Sequence, residues 1–164
     1  MTLMQKGMEF VVLAGLLLAV QPVAAQDATA ADHATVQRCL EEKVAANEER
    51  ERCVGVIADP CLEKSEDPST FGMADCSRRE YAVWDERLNS TYRKLMKDID
   101  AKQQRDLRDL QRAWIAFSDR KCGLYRVMQP EGSIVIPIAA YCTMQEVGRQ
   151  ATFLETMLEE GDSR

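Results

Sequence analysis

The chain has 164 residues, a formal net charge of −6, 46% hydrophobic residues and six cysteines. That length fits one domain able to bury a core. The acidic balance argues against nucleic acid and anionic lipid surfaces as partners and in favour of cationic ones.

Residues 1–25 read as a secretory signal peptide. Lys6 supplies the charged start, an apolar run extends from Phe10 to Val20, and Val23-Ala24-Ala25 forms a small-residue cleavage site after Pro22. The run is short for a bilayer-spanning helix. The expectation is cleavage before Gln26, a periplasmic or secreted product and no stable membrane insertion, with a retained anchor as the alternative. The first cysteine is Cys39, too far along for a lipid anchor at the cleavage site.

Over 34–46, Val36, Leu40 and Val44 recur at helical spacing, with Asp32 as candidate cap. Asn47 followed by Glu48, Glu49 and Glu51 reads as a new N-cap, so the helix breaks there and folds back. Pro60, Pro68 and Gly72 among polar residues make 59–72 a loop. A long helix follows, starting at 73–75 and reaching Ile99, with Tyr81, Trp84, Leu88, Tyr92 and Leu95 as its apolar stripe. Arg78, Arg79, Glu86, Arg87, Arg93 and Lys97 form its solvated face. The next helix spans 102–127, with Leu107, Leu110, Trp114, Phe117, Leu124 and Met128 expected to face the core. Pro130, Gly132, Pro137 and four β-branched residues make 129–141 irregular. A last helix over 142–159 carries Met144, Val147, Ala151, Leu154 and Leu158, and Gly161 stops it.

No strand pair or internal repeat is evident. The expected fold is all-α: a disulfide-stapled helical bundle with an N-terminal helical hairpin, a long antiparallel helix pair and a C-terminal helix. Three parts are expected: 1–25 as signal peptide, 26–72 as hairpin and Pro-containing loop, and 73–160 as the main helical domain.

The cysteines are spaced by 14, 8, 15, 46 and 20 residues. No close pair suits a metal, whereas an even count in a short exported chain suits disulfides. On one straight helix Cys39 and Cys53 would lie about 21 Å apart, and a disulfide needs Cα atoms within about 7 Å. The break at Asn47 therefore points to sequential pairing, Cys39–Cys53, Cys61–Cys76 and Cys122–Cys142. Cys39–Cys61 with Cys53–Cys76 is the alternative if 34–58 is one helix.

Cys76 and Glu80, then Leu88-Asn89 with Tyr92 and Leu95, then Leu110-Gln111-Arg112-Ala113-Trp114-Ile115-Ala116-Phe117 leading to Asp119 and Cys122, and finally Cys142, occur in one order. With that spacing, the stretch 76–154 resembles the lysozyme-inhibitor LprI-like domain family of bacterial envelope proteins. Ser118 stands where the family tends to have Arg, and Glu131-Gly132-Ser133 replaces a more Gly-rich run. The resemblance implies a helical fold and inhibition of lysozyme.

For function, Trp84, Tyr92, Trp114 and Phe117 read as core at their helical spacing. Glu80, Leu88, Asn89, Tyr92, Gln111, Arg112, Trp114 and Asp119 read as structural motif residues. The polar ones would supply helix-edge hydrogen bonds and an Arg–carboxylate pair between the long helices; a polar pocket is the sharper alternative. His33 is the only histidine, and with the cysteines in disulfides, Ser–His or Cys–His catalysis lacks its base. A carboxylate-dependent glycan hydrolase using Glu80 with Asp85 is the least favoured class, since those side chains diverge on one helix. No metal or cofactor is expected. The preferred reading is an exported binding protein whose loop tip, Glu131, Gly132 and Ser133, docks at the cleft of a cationic lysozyme. A loop that only covers the bundle end, or a non-inhibitory periplasmic scaffolding module, is the competing reading.

Overall fold

The computed structural model describes residues 28–64 and 67–162. The segment read as a signal peptide lies outside the described residues, as do Ser65 and Glu66. The elements are α1 (Ala30–Ala45), a 3-10 turn (Arg50–Cys53), α2 (Ala58–Lys64), α3 (Thr70–Asp98), α4 (Ala101–Met128) and α5 (Val135–Asp162). The described residues contain no strand, so the all-α, disulfide-stapled bundle expected from the periodicity is the fold observed.

The start of α1 differs from expectation. Thr29 is its N-cap and Asp32 the N3 residue of a capping box, each side chain bonding the other's backbone N–H. At the other end Asn47 does not begin a helix. It adopts φ 53°, while its N–H bonds the Val44 carbonyl at 3.1 Å and Glu48 N–H bonds that of Lys43 at 2.8 Å. That is a Schellman stop, with Asn in the left-handed position usually held by Gly. The chain still reverses there, but through the 3-10 turn instead of a second α-helical arm.

The disulfides join Cys39 to Cys53, Cys61 to Cys76 and Cys122 to Cys142, with Cα separations of 5.8, 5.6 and 5.5 Å. The segment 59–72 is not all loop. Pro60 sits in the first turn of α2, where its missing N–H has no intrahelical acceptor to lose. Ser69 caps α3 by accepting from Gly72 N–H, so α3 starts at Thr70, ahead of the predicted position.

The most extensive helix interface is between α3 and α5, and α4 lies on α5. Two cross-links show that α3 and α5 run in the same direction: Trp84 lies against Gly148, and further along both helices Arg87 pairs with Glu155 at 2.8 Å. Val83, Trp84, Met144, Leu154 and Val36 are fully buried in one core that also takes in Leu40, Cys53 and Ile57. The N-terminal segment therefore shares the core of the main helices. Its placement is reinforced by the pairing of Asp32 with Arg79, so Arg79 and Arg87 are not merely a solvated face.

The predicted stripe of α4 is the largest departure. Leu107 is buried, but Leu110, Phe117, Leu124 and Met128 are 43%, 57%, 54% and 72% exposed. What α4 buries is Leu107, Gln111, Ser118 and Cys122. The disulfide at Cys122 and an ion pair from Lys121 to Glu146 at 2.6 Å fix its rotation against α5, one residue away from its apolar seam.

Candidate functional site

The connector between α4 and α5 is shorter than 129–141. Pro137 is the third residue of α5, where a proline is tolerated, so the irregular stretch is 129–134 and Cys142 lies inside the helix. Backbone bonds from Gly132 N–H to Gln129, from Val135 N–H to Gly132 and from Ile136 N–H to Ser133 wind it into consecutive turns. Glu131 and Ser133 are exposed and Gly132 half-buried. Val127 at 74%, Met128 at 72% and Ile134 at 45% exposure surround the turn with apolar surface. Beside it lies a groove of about 310 Å³, lined in part by Tyr125, Ile134, Pro137, Ile138 and Tyr141. The Tyr141 hydroxyl donates to Asp59 at 2.8 Å, and burial together with that carboxylate pushes its phenol pKa up.

The motif residues separate into two groups. Glu80 is fully buried. Its Oε1 accepts from Gly55 N–H at 2.6 Å and Trp84 Nε1–H at 2.8 Å, and its Oε2 accepts from Ile57 and Ala58 N–H at 2.8 and 2.7 Å. It caps the entry to α2 and fixes it on α3. Leu88, Asn89 and Tyr92 of α3 instead meet Gln111, Arg112 and Trp114 of α4 along a second cleft of about 310 Å³. Asp119 is exposed and is not among the residues lining it.

The expected Arg–carboxylate pair between the long helices is not formed. Arg112 bonds Asp109 on its own helix at 3.2 Å, and Asn89 donates to Asp85 within α3. Helix-to-helix ion pairs come instead from Asp32, expected only as a cap, with Arg79, expected on a solvated face, and from Lys121 with Glu146. Phe117 is exposed instead of core, and Tyr92 and Trp114 are half-buried. Gln111 is 8% exposed; its Oε1 accepts weakly from Gln150 Nε2 at 3.4 Å, while its Nε2 has no partner. With two aromatic rings and the guanidinium groups of Arg108 and Arg112 along it, the cleft can hold a carboxylate beside an apolar group. His33 stands on α1 with Nε2 3.2 Å from Glu86.

The family model described as lysozyme inhibitor LprI matches residues 61–154, more than half of the sequence. The chain belongs to the LprI lysozyme-inhibitor family. Its LprI region begins within α2 and spans α3, α4 and most of α5. It includes Cys61–Cys76 and Cys122–Cys142, while α1 and Cys39 lie before it. No curated protein and no solved structure matches the chain.

An LprI domain is an inhibitor module, and the best carboxylate candidate for another role is engaged structurally, since both oxygens of Glu80 accept from two donors each. Among the described residues no group of three or more His, Cys, Asp and Glu is placed to hold a metal ion. No helix there is long and apolar enough to cross a membrane.

Proposed function

We propose that the protein is an exported lysozyme inhibitor, processed after Ala25, that docks on lysozyme through the α4–α5 connector. One observation carries the choice of surface. Val127 and Met128 at the end of α4 and Ile134 in the connector stand in solvent around a short polar tip, Glu131-Gly132-Ser133, which lies nine residues from each cysteine of the Cys122–Cys142 bridge. Clustered apolar side chains with a polar centre suit a protein-binding site, and a pre-ordered turn loses little entropy on entering a cleft. The net charge of −6 favours encounter with a cationic lysozyme at low salt. Three disulfides suit an oxidising compartment outside the cytoplasm.

The test is titration of the purified protein against lysozymes of several types. The wild type lowers turnover of at least one, more strongly at low salt. Met128→Glu and Gly132→Trp weaken inhibition at least about tenfold, as for loss of a central contact, with unchanged circular dichroism. A Cβ at Gly132 meets nothing nearer than Ile134 Cγ2 at 3.6 Å, so a side chain can branch from that position without a clash at its first carbon. Failure to slow any lysozyme, with a stable partner recovered from the envelope instead, supports the scaffolding reading. Inhibition lost in Arg112→Ala but retained in both connector variants moves the docking site to the α3–α4 cleft.

A further inference from the structure

The exposed seam of α4 has an internal symmetry. Leu110, Phe117 and Leu124 follow one another at intervals of seven residues, the repeat that keeps one stripe of a helix facing a partner helix. Each is roughly half exposed. The bundle uses them only in part: Lys121, paired with Glu146 of α5, stands 5.7 Å from the centre of the Phe117 ring, but the buried positions Gln111 and Ser118 directly follow Leu110 and Phe117, and one residue is a rotation of about 100°. The seam thus points sideways out of the molecule, away from α5.

From these positions we infer that α4 pairs with α4 of a second copy, antiparallel, about a two-fold axis at Phe117. Reversing the helix about Phe117 exchanges Leu110 and Leu124, because they stand two turns to either side. A pair with Phe117 against Phe117 therefore packs Leu110 of each copy on Leu124 of the other, which is the self-complementarity a two-fold contact requires. The charges agree. Asp109 and Arg120 project from the same flank of the seam, one in each half of the helix, and both are exposed. In the reversed pair, Asp109 of one copy falls about one and a half turns along the axis from Arg120 of the other, within reach of the arginine side chain. Val127 and Met128 follow Leu124 by three and four residues on α4, so the far end of the helix pair adjoins the connector surface, whereas Phe117 and Leu110 stand about two and four turns from Leu124, nearer the helix start, and belong to the helix pair alone.

Sedimentation equilibrium on the processed protein, obtained by export of the full coding sequence, tests this. The expected result is twice the monomer mass, with dissociation on dilution. Phe117→Glu and Leu124→Glu each shift the protein to monomer with unchanged circular dichroism, since both side chains already stand in solvent. Phe117→Cys gives a reducible dimer joined at residue 117, because the axis brings those positions within disulfide distance. A monomer at every concentration overturns the inference, and so does a dimer that persists in Phe117→Glu.

Discussion

Glu80 Oε1 accepts the backbone N–H of Gly55 at 2.6 Å, across 25 residues of sequence. Gly55 adopts φ +109°, and a Cβ there would meet Asp59 Oδ2 at 2.5 Å, so this position needs glycine. The same carboxylate holds Ile57, Ala58 and the Trp84 indole. Replacing Glu80 by Ala leaves four buried donors unpartnered, each costing about 1–3 kcal/mol if water cannot reach it. Denaturant unfolding of Glu80→Ala should show a loss of at least about 3 kcal/mol. Glu80→Gln should also destabilise, because one amide end presents N–H to existing donors. Unchanged stability in both would remove Glu80 as the anchor of the α2 entry.

Gly148 marks a close approach of α5 to its neighbours. A Cβ there would lie 2.7 and 2.8 Å from the two methyls of Val54 and 3.3 Å from Trp84. Neither neighbour is the free end of a flexible chain, so the helices must separate or Val54 must move. Gly148→Ala is expected to lower stability by about 1–3 kcal/mol, as for overpacking elsewhere, despite the better helix propensity of alanine. A thermal melt at or above the wild-type midpoint would contradict this.

Helix type and the positions of the long helices were legible because Trp84, Leu88, Met144 and Leu154 recur at a helical period and are buried accordingly. Two boundaries were misplaced because Pro60 and Pro137 act as breakers only away from the first turn, and both stand in one. The exposure of Phe117 was not legible at all. Periodicity reports that α4 has an apolar seam, but which way the seam faces is set by long-range constraints at Cys122 and Lys121. Of the candidate site, the motif residues of α3 and α4 do meet in a cleft. Glu80 was grouped with them, although only the fold reveals that it serves Gly55 and α2.

The Asp32–Arg79 pair predicts an acid-labile contribution. Asp32 is 1% exposed, and its pKa is lowered from 3.8 to about 2, first by the hydrogen bond from Arg79 and further by Thr29, against the opposing effect of burial. A depressed carboxylate pKa gives stability that is present above the unfolded value and is lost as pH falls through the folded one. The window is therefore about pH 4 down to about pH 2. Arg79 is 45% exposed, so solvent screening reduces the contribution to about 1–2 kcal/mol. Arg79→Met should lower stability at pH 7 by about that amount and flatten the wild-type dependence between pH 4 and pH 2. Parallel stability curves for the two proteins would rule out the linkage.

Removing the Cys122–Cys142 bridge separates stability from docking. The cysteines are 20 residues apart, and the chain-entropy model gives about 3 kcal/mol for a loop of that order. Cys39–Cys53, with a separation of 14, gives a similar value but lies on the N-terminal side, away from the connector. Replacing either pair by alanine should therefore lower the unfolding free energy by about the same amount. Only loss of Cys122–Cys142 should also weaken lysozyme inhibition, because the connector then has to be ordered at the moment of binding. The comparison is made at a temperature where both variants are fully folded by circular dichroism. Equal inhibition by the two variants would mean that the bridge stabilises the bundle without preparing the connector, and the docking surface would have to be sought on a part of α4 that α5 itself holds in place.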